Sequence, residues 1–295
     1  MVSALLSDRC LIAVTGAEAE HFLQNILTTD LDALAAGEAK PGALLSPQGK
    51  ILFDFLISRD ASGGFLLDCR ADVADDFIRR LTLYKLRAKV EISKQSQMVV
   101  GVAWDVDSPA SEAESNAARN GAAALRDARF KAPFPVFRIY APSLQPAADA
   151  SEWHALRIAH GVAESGSDFE LGDAFPHDVL LDETGGVGFG KGCYVGQEVV
   201  SRMHHRGTAR RRVLLVSAEA PLPEPGTEIV AGGRTIGTLG SVAGQRGLAV
   251  VRIDRVKDAQ DKGVAITAAD VPLTLSIPAW AKFTFPQDAT NTGEA

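Results

Sequence analysis

The chain has 295 residues, 46% of them apolar and 23% charged, with a formal net charge of -7. That length allows two or three domains with a sizeable core, and the acidic balance excludes extended nucleic-acid binding as the main task. No apolar run approaches the roughly 20 residues of a membrane span, and the start MVSALLSDRC lacks a basic region followed by a long apolar run, so a soluble, cytoplasmic protein is expected.

Cys10 to Val14 reads as a short strand, and Thr15 followed by Glu18 has the capping-box spacing that opens a helix with Phe22, Leu23, Ile26 and Leu27 on one face. The helix runs out at Asp30, which caps or turns the chain at an element boundary. GALLSPQGKILFDFLISRD predicts two strands around a turn at Pro47, Gln48 and Gly49, and Ser62 to Gly64 make the next turn before a strand from Phe65 to Cys69. Asp72 to Leu86 is an amphipathic helix with Val73, Phe77, Leu81 and Tyr84 inward, leading to a strand that ends YKLRAKVEI. Lys85, Arg87 and Lys89 are either a solvated rim or a source of one cation for a ligand carboxylate.

Met98 to Trp104 is a further strand. Asp105 to Asn120, acidic and rich in Ala and Ser, reads as a surface insertion. A strand from Phe134 to Tyr140, a connection to Ala150 and a helix from Ser151 to His160 follow. From Val213 the pattern becomes short strands separated by Gly and Pro, at Val213 to Ser217, Ile229 to Val230, Thr235 to Gly240, Gly247 to Arg255 and Val271 to Ile277, as in a small barrel or sandwich. The polar tail from Gln287 has no element.

The candidate site is KGCYVGQE, Lys191 to Glu198. Gly192 and Gly196 bracket Cys193 and Tyr194 on a bend, and Gln197 to Met203 reads as a helix. A cysteine just before a helix start with Lys191 two residues away is a setting that favours the thiolate; the plainer reading is a small buried hydrophobe, with Tyr194 and Val195 plugging a core. Cys10, Cys69 and Cys193 are odd in number and far apart, which suggests no disulfide framework, and no spacing makes a metal cage. A cluster held by Cys193 would need ligands from another molecule or from residues brought close by folding. His177, His204 and His205 are single histidines of the kind that serve structure or reach a ligand. Arg202, Arg206, Arg210, Arg211 and Arg212 crowd eleven residues and are either a solvated face or an anchor for a ligand's carboxylates.

KGCYVGQE resembles the signature of the folate-binding YgfZ family, iron-sulfur cluster assembly factors that share their fold with the T-protein (aminomethyltransferase) of the glycine cleavage system. FLQNILTTDL, the PQGKI turn, YKLRAKVEI, FPHDVLLD and the Arg206-Gly207 pair are similar to the family's segments in the same order. Lys191, Val195 and Gly196 align with the T-protein's Lys-x-x-Phe-Ile-Gly, whereas the cysteine does not belong to the T-protein pattern, and its Gly-Tyr-Thr-Gly-Glu run has no counterpart here.

The resemblance implies an α+β fold of two intertwined subdomains, 1–45 with 134–208 and an inserted 46–133, around a central folate site. A small β-barrel, 209–286, and a tail, 287–295, complete it. It implies tetrahydrofolate or a derivative as cofactor and iron-sulfur carrier or client proteins as partners, with a role in assembly or repair of clusters, especially four-iron ones. Cys193 would be a transient cluster ligand or redox thiol, as soft thiolate suits iron. Asp30 would lie beside the folate nitrogens. Lys191, Gly192, Tyr194, Gly196, Gln197, Glu198, Arg202 and Arg206 would frame the cofactor, Gln197 and Glu198 chiefly by fixing the loop and helix start. Two alternatives stay open: a folate-dependent one-carbon transferase or demethylase using Asp30, and a thiol oxidoreductase using Cys193, for which no resolving cysteine lies nearby.

Overall fold

A computed structural model describes residues 2–104, 122–131, 134–207 and 209–286. The acidic insertion 105–120 and the tail from 287 lie outside the described residues. The first two thirds carry strands β1 (Val2–Leu5), β2 (Arg9–Thr15), β3 (Glu38–Leu45), β4 (Ile51–Arg59), β5 (Phe65–Arg70), β6 (Glu91–Lys94), β7 (Val99–Trp104), β8 (Ala123–Asp127) and β9 (Val136–Ala141). They form one nine-stranded sheet in the order β1-β7-β9-β8-β3-β4-β5-β2-β6. All its pairings are antiparallel except β3 with β8. The β3–β4 hairpin carries the sheet across the expected boundary at 45/46.

Helices α1 (Ala19–Gln24), α2 (Ala74–Lys85), α3 (Ala150–Ala159) and α4 (Gln197–Arg206) accompany the sheet. In α2, Phe77 and Leu81 are buried as the pattern predicts, and Phe77 stacks 4.7 Å from Phe53 and 5.5 Å from Phe55. At α1 the capping box does not form. Glu18 is the N-cap without a side-chain bond to the helix, because its carboxylate instead accepts the Lys89 backbone N–H at 2.6 Å, tying α1 to the entry of β6.

The last third is a seven-stranded sheet, order β15-β14-β11-β12-β13-β10-β16, built from β10 (Arg211–Ser217), β11 (Glu228–Ala231), β12 (Arg234–Ala243), β13 (Arg246–Arg252), β14 (Ile266–Ala268), β15 (Val271–Pro272) and β16 (Thr274–Ser276). It curls into a near-closed barrel. The strand expected to reach Arg255 stops at Arg252, and α5 (Ile253–Asp261) follows, burying Ile253, Val256 and Ala259 on one face. Val213, Leu248 and Val250 of the barrel share a core with Ile51, Tyr194 and Val200, so barrel, hairpin and site loop pack as one.

Between these parts lies a buried ion network. Arg9, Arg129, Arg138 and Arg157 face Asp68, Asp127, Glu164 and Asp168, all at most 9% exposed. Arg129 pairs with Asp127 at 2.7 Å and Arg157 with Asp168 at 2.7 Å. Arg138 lies 3.2 Å from Asp127, 3.6 Å from Glu164 and 3.7 Å from Asp68. Burial opposes ionisation of Glu164, but Arg157, Arg129, Arg9 and Arg138 outweigh it and hold its carboxyl well below the usual carboxylate range. Arg157 and Asp168 also bond the Ser241 hydroxyl and backbone N–H at 2.6 and 2.8 Å, joining α3 to β12. Removing one member strands an opposite charge in the interior, so Arg138→Met is expected to lower the unfolding free energy by about 3–5 kcal/mol, read by urea denaturation at pH 7.

Candidate functional site

Three segments distant in sequence meet at KGCYVGQE. Thr28 accepts the Gly188 N–H through its backbone carbonyl at 2.8 Å and donates its hydroxyl to the Gly186 carbonyl at 2.7 Å. The Ala43 N–H donates to that same hydroxyl at 2.9 Å, which holds the 27–30 segment between β3 and the 186–191 loop. The third segment is the β3–β4 turn. Gly196 has φ +80°, and a Cβ there would meet the Ser46 carbonyl at 2.6 Å; Gly49 has φ +80°, and a Cβ there would meet Val199 at 2.9 Å. Both glycines are required by the close approach of turn and helix start as well as by conformation.

Lys191 is buried and donates to the carbonyls of Leu27 at 2.8 Å and Thr29 at 2.7 Å, with its ammonium 5.4 Å from the Tyr194 ring. Burial pushes its ammonium down to about 8, with Asp30 and Asp32 opposing. Asp30 lies under Gly188, where a Cβ would come within 2.8 Å of the aspartate's own Cβ. Its carboxylate accepts from Gln24 at 2.8 Å and from the Asp32 N–H at 3.2 Å. Asp30 thus joins the motif, although the sequence separates them by more than 150 residues.

Tyr194 is in the core, while Gly192 and Cys193 are exposed. The buried-hydrophobe reading therefore holds for Tyr194 and fails for Cys193. The thiolate setting expected for Cys193 is also corrected: the Lys191 ammonium is engaged by two carbonyls, and α4 starts four residues after the cysteine with Gly196 as its N-cap. Glu198 and Arg202 form an exposed i,i+4 pair at 3.1 Å, Gln197 donates its backbone N–H to the Tyr194 carbonyl at 3.2 Å, and Arg206 is exposed at the end of α4. Among the described residues no group of three or more His, Cys, Asp or Glu side chains is arranged to hold a metal ion.

The arginine run is largely engaged by the protein's own carboxylates. Arg210 lies 3.8 Å from Asp254, Arg211 binds Asp173 at 2.9 Å, and Arg212 binds Asp182 and the His177 carbonyl at 2.8 Å each. His177 is 1% exposed and neither ring nitrogen has a partner; burial, then Arg212 and His204, push its imidazolium down to about 4, so the ring is neutral. It lines a lateral cavity of about 470 Å³ together with His204, Arg210, Arg212, Ile253 and Phe283. His204 also stacks on Phe189, centroids 3.8 Å apart.

The central position differs. There the cavity between the layers measures about 30 Å³, lined by Arg9, Asp54, Arg129, Phe55 and Leu180 among others, which is room for about one water. A pterin does not fit. The lateral cavity has small-molecule size and an orphaned buried imidazole, and the Asp182 and Asp254 carboxylates that pair with its arginines also line it. Asp54, bonded to the Ser165 hydroxyl, is a cavity residue that the sequence reading missed because it alternates inside an apolar strand like any outward-facing polar residue.

Comparison with known proteins first sets the class. The chain superposes on the crystal structure of the glycine cleavage system aminomethyltransferase T from Bartonella henselae with a TM-score of 0.71, covering 95% of this chain and 86% of that one at 16% identity. Residues 210–283 match the family described as CAF17, C-terminal beta-barrel domain. The fold is therefore that of the T-protein, ending in a barrel of the CAF17 type, as the resemblance implied.

In sequence the chain is 32% identical over 304 residues to the mitochondrial iron-sulfur cluster assembly factor IBA57 of Homo sapiens, covering 93% of this chain and 84% of the relative. It is 29% identical over 300 residues to the Mus musculus protein, covering 89% and 82%. With the Chaetomium globosum homolog it shares 34% over 239 residues, covering 72% of this chain and 55% of that longer one. The chain belongs to the IBA57 family of iron-sulfur cluster assembly factors. These relatives are all named mitochondrial, which overturns the cytoplasmic expectation; composition and the lack of a membrane span do not distinguish one aqueous compartment from another.

The Lys191 shift has a testable sign. Its folded value, about 8, lies below the ordinary 10.5, so between these pH values the unfolded chain binds more protons and stability rises with pH. The unfolding free energy of wild type minus that of Lys191→Met is expected to increase from pH 8 to 10.5 in urea titrations; a flat difference would contradict a buried ammonium.

Proposed function

We propose that this chain supports assembly or repair of iron-sulfur clusters, above all four-iron ones, with the Cys193 sulfur as a transient ligand that gives up its proton on binding iron and whose remaining partners come from a carrier or client protein. The observation that carries this reading is an exposed thiol on a loop held from three sides: Lys191 bonds to the 27–30 segment, Tyr194 sits in the core, and Gly196 packs against the β3–β4 turn. A soft sulfur ligand exposed at a surface suits a cluster shared with a second protein. Asp30 orders this loop through Gly188 and the field it exerts on Lys191.

A tetrahydrofolate would be held in the lateral cavity, with His177 and His204 toward its rings and Arg210, paired only at 3.8 Å with Asp254, toward its carboxylates, since Arg212 is held by Asp182. When bound, folate supplies one-carbon or redox chemistry at its reduced pterin. The one-carbon transferase alternative draws no support from the 30 Å³ central cavity.

Rescue of a four-iron enzyme in cells lacking this protein tests the thiol. At matched protein levels Cys193→Ala is expected to restore less than a tenth of the wild-type activity and Asp30→Asn an intermediate level. Full rescue by Cys193→Ala together with failure of Asp30→Asn would move the function to Asp30. Separately, calorimetric titration with 5-formyltetrahydrofolate is expected to show binding that His177→Phe weakens at least tenfold; binding indifferent to that change rules out the lateral cavity.

A further inference from the structure

Two cysteines that the sequence separates by 59 positions are cross-strand neighbours. β2 and β5 run antiparallel with Cys10 directly opposite Cys69. The Ala71 N–H bonds to the Asp8 carbonyl at 2.8 Å, one pair beyond the end of that ladder, and the Gln95 N–H bonds to the Leu11 carbonyl on the other side of β2. Even-numbered residues of β2 therefore exchange backbone bonds with β5, and Cys10 and Cys69 are a hydrogen-bonded pair. Such pairs have Cα atoms about 5.5 Å apart, inside the roughly 4.4–6.8 Å that a disulfide spans. Both side chains lie on the same face, against one hydrophobic core.

We propose that Cys10 and Cys69 form a redox pair that closes reversibly to a disulfide between β2 and β5, with a hydroperoxide as oxidant. The pair is separate from the Cys193 site and does not depend on the function proposed for it. The two thiols have different roles. Cys69 is fully buried and Cys10 half-buried, so only Cys10 meets a small oxidant. The neighbouring Cys69 thiol pushes the Cys10 thiol down, aided by Lys94 and Arg9 against burial and Asp68. The same neighbour contact, with burial, pushes Cys69 up. Cys10 is the attacking thiolate and Cys69 the resolving thiol.

In the first step the Cys10 sulfur bonds to one peroxide oxygen, the O–O bond breaks, and the departing hydroxide takes a proton to leave as water, giving a sulfenic acid. In the second, the Cys69 sulfur attacks the Cys10 sulfur and loses its proton, and the sulfenic oxygen departs as water. Two thiols and one hydrogen peroxide give one disulfide and two waters; each sulfur is oxidised by one electron and each peroxide oxygen reduced by one.

At a hydrogen-bonded ladder position the Cβ atoms stand toward the wider end of the cross-strand range, beyond the roughly 3.8 Å of a relaxed disulfide, so closure draws the strands together and the bond is readily reduced. The adjoining residues on the two strands are Arg9 and Asp68, which form one end of the buried ion network. Oxidation therefore acts on the central network from its edge.

The test uses the full chain carrying Cys193→Ala, which removes the exposed thiol. After hydrogen peroxide treatment, non-reducing peptide mass spectrometry is expected to find a link between the peptides holding Cys10 and Cys69, loss of both free thiols, and full return on dithiothreitol. Adding Cys69→Ala is expected to leave Cys10 as a sulfenic acid that dimedone traps. The proposal is overturned if Cys10 accumulates as sulfinic acid beside a free Cys69, or if both thiols stay free at a dose that fully oxidises Cys193 in the wild type. The link in the Cys193→Ala protein decides the matter even should the Cys69→Ala variant fold poorly.

Discussion

Four arginines facing four carboxylates in the interior set the terms for the whole molecule. Each ion would carry a desolvation cost of several kcal/mol alone, and only mutual pairing makes their burial tolerable. The members come from β2, β5, β8, β9, α3, the loop after α3 and, through Ser241, the barrel. No part of the fold can form its share independently, so the network fixes how sheet, helix and barrel meet. It also fills the space at the middle of the molecule, leaving room for about one water beside Arg9 and Arg129.

With so little space at the centre, the candidate site lies further out. In a fold shared with an aminomethyltransferase, the KGCYVGQE loop lies at the seam of hairpin, sheet and barrel, and three residues flanking the exposed Gly192 and Cys193 are fixed from inside. Lys191 bonds to the 27–30 segment, Tyr194 shares a core with Val213 and Leu248, and Gly196 leaves no room for a side chain over Ser46. The surface thiol is preorganised by contacts that are themselves not reactive, which keeps the ordering cost of presenting it low.

Much of the frame was legible in the sequence because it depends on local rules. Apolar runs bounded by turn residues located β2, β4, β5, β7 and β10, and period-3.6 spacing located α2. What escaped is what local rules cannot carry. β8 reads AALRD, and its charged residues look solvent-facing until Arg138 and Arg129 meet Asp127 in the interior. Arg138 itself alternates in FRIYA like an outward residue but is 0% exposed. The helix α5 did have a signal, with Ile253, Val256 and Ala259 spaced by three, Asp254 in the first turn and Gly263 after the end. It was masked by the apolar run of β13, which leads straight into Ile253. The Thr15–Glu18 pattern was real as a spacing and failed because a backbone N–H at Lys89, distant in sequence, competed for the same carboxylate.

The same contrast separates the two kinds of site residue. KGCYVGQE was visible because a bend, a buried aromatic and a helix start must follow one another along the chain, and those constraints are contiguous. Its thiolate setting was misread because Lys191, near Cys193 in sequence, is directed by Leu27 and Thr29 carbonyls into the protein. His177 was seen only as a loop histidine, since nothing local reveals that both its ring nitrogens are buried without partners against a cavity that the barrel completes. Proximity along the chain predicts backbone shape well; it predicts electrostatic neighbours poorly, because a charged side chain goes to whichever backbone or counter-ion the tertiary fold brings within about 3 Å. The candidate site is built by that second kind of proximity, which joins Asp30 to Gly188 and Lys191 across the chain.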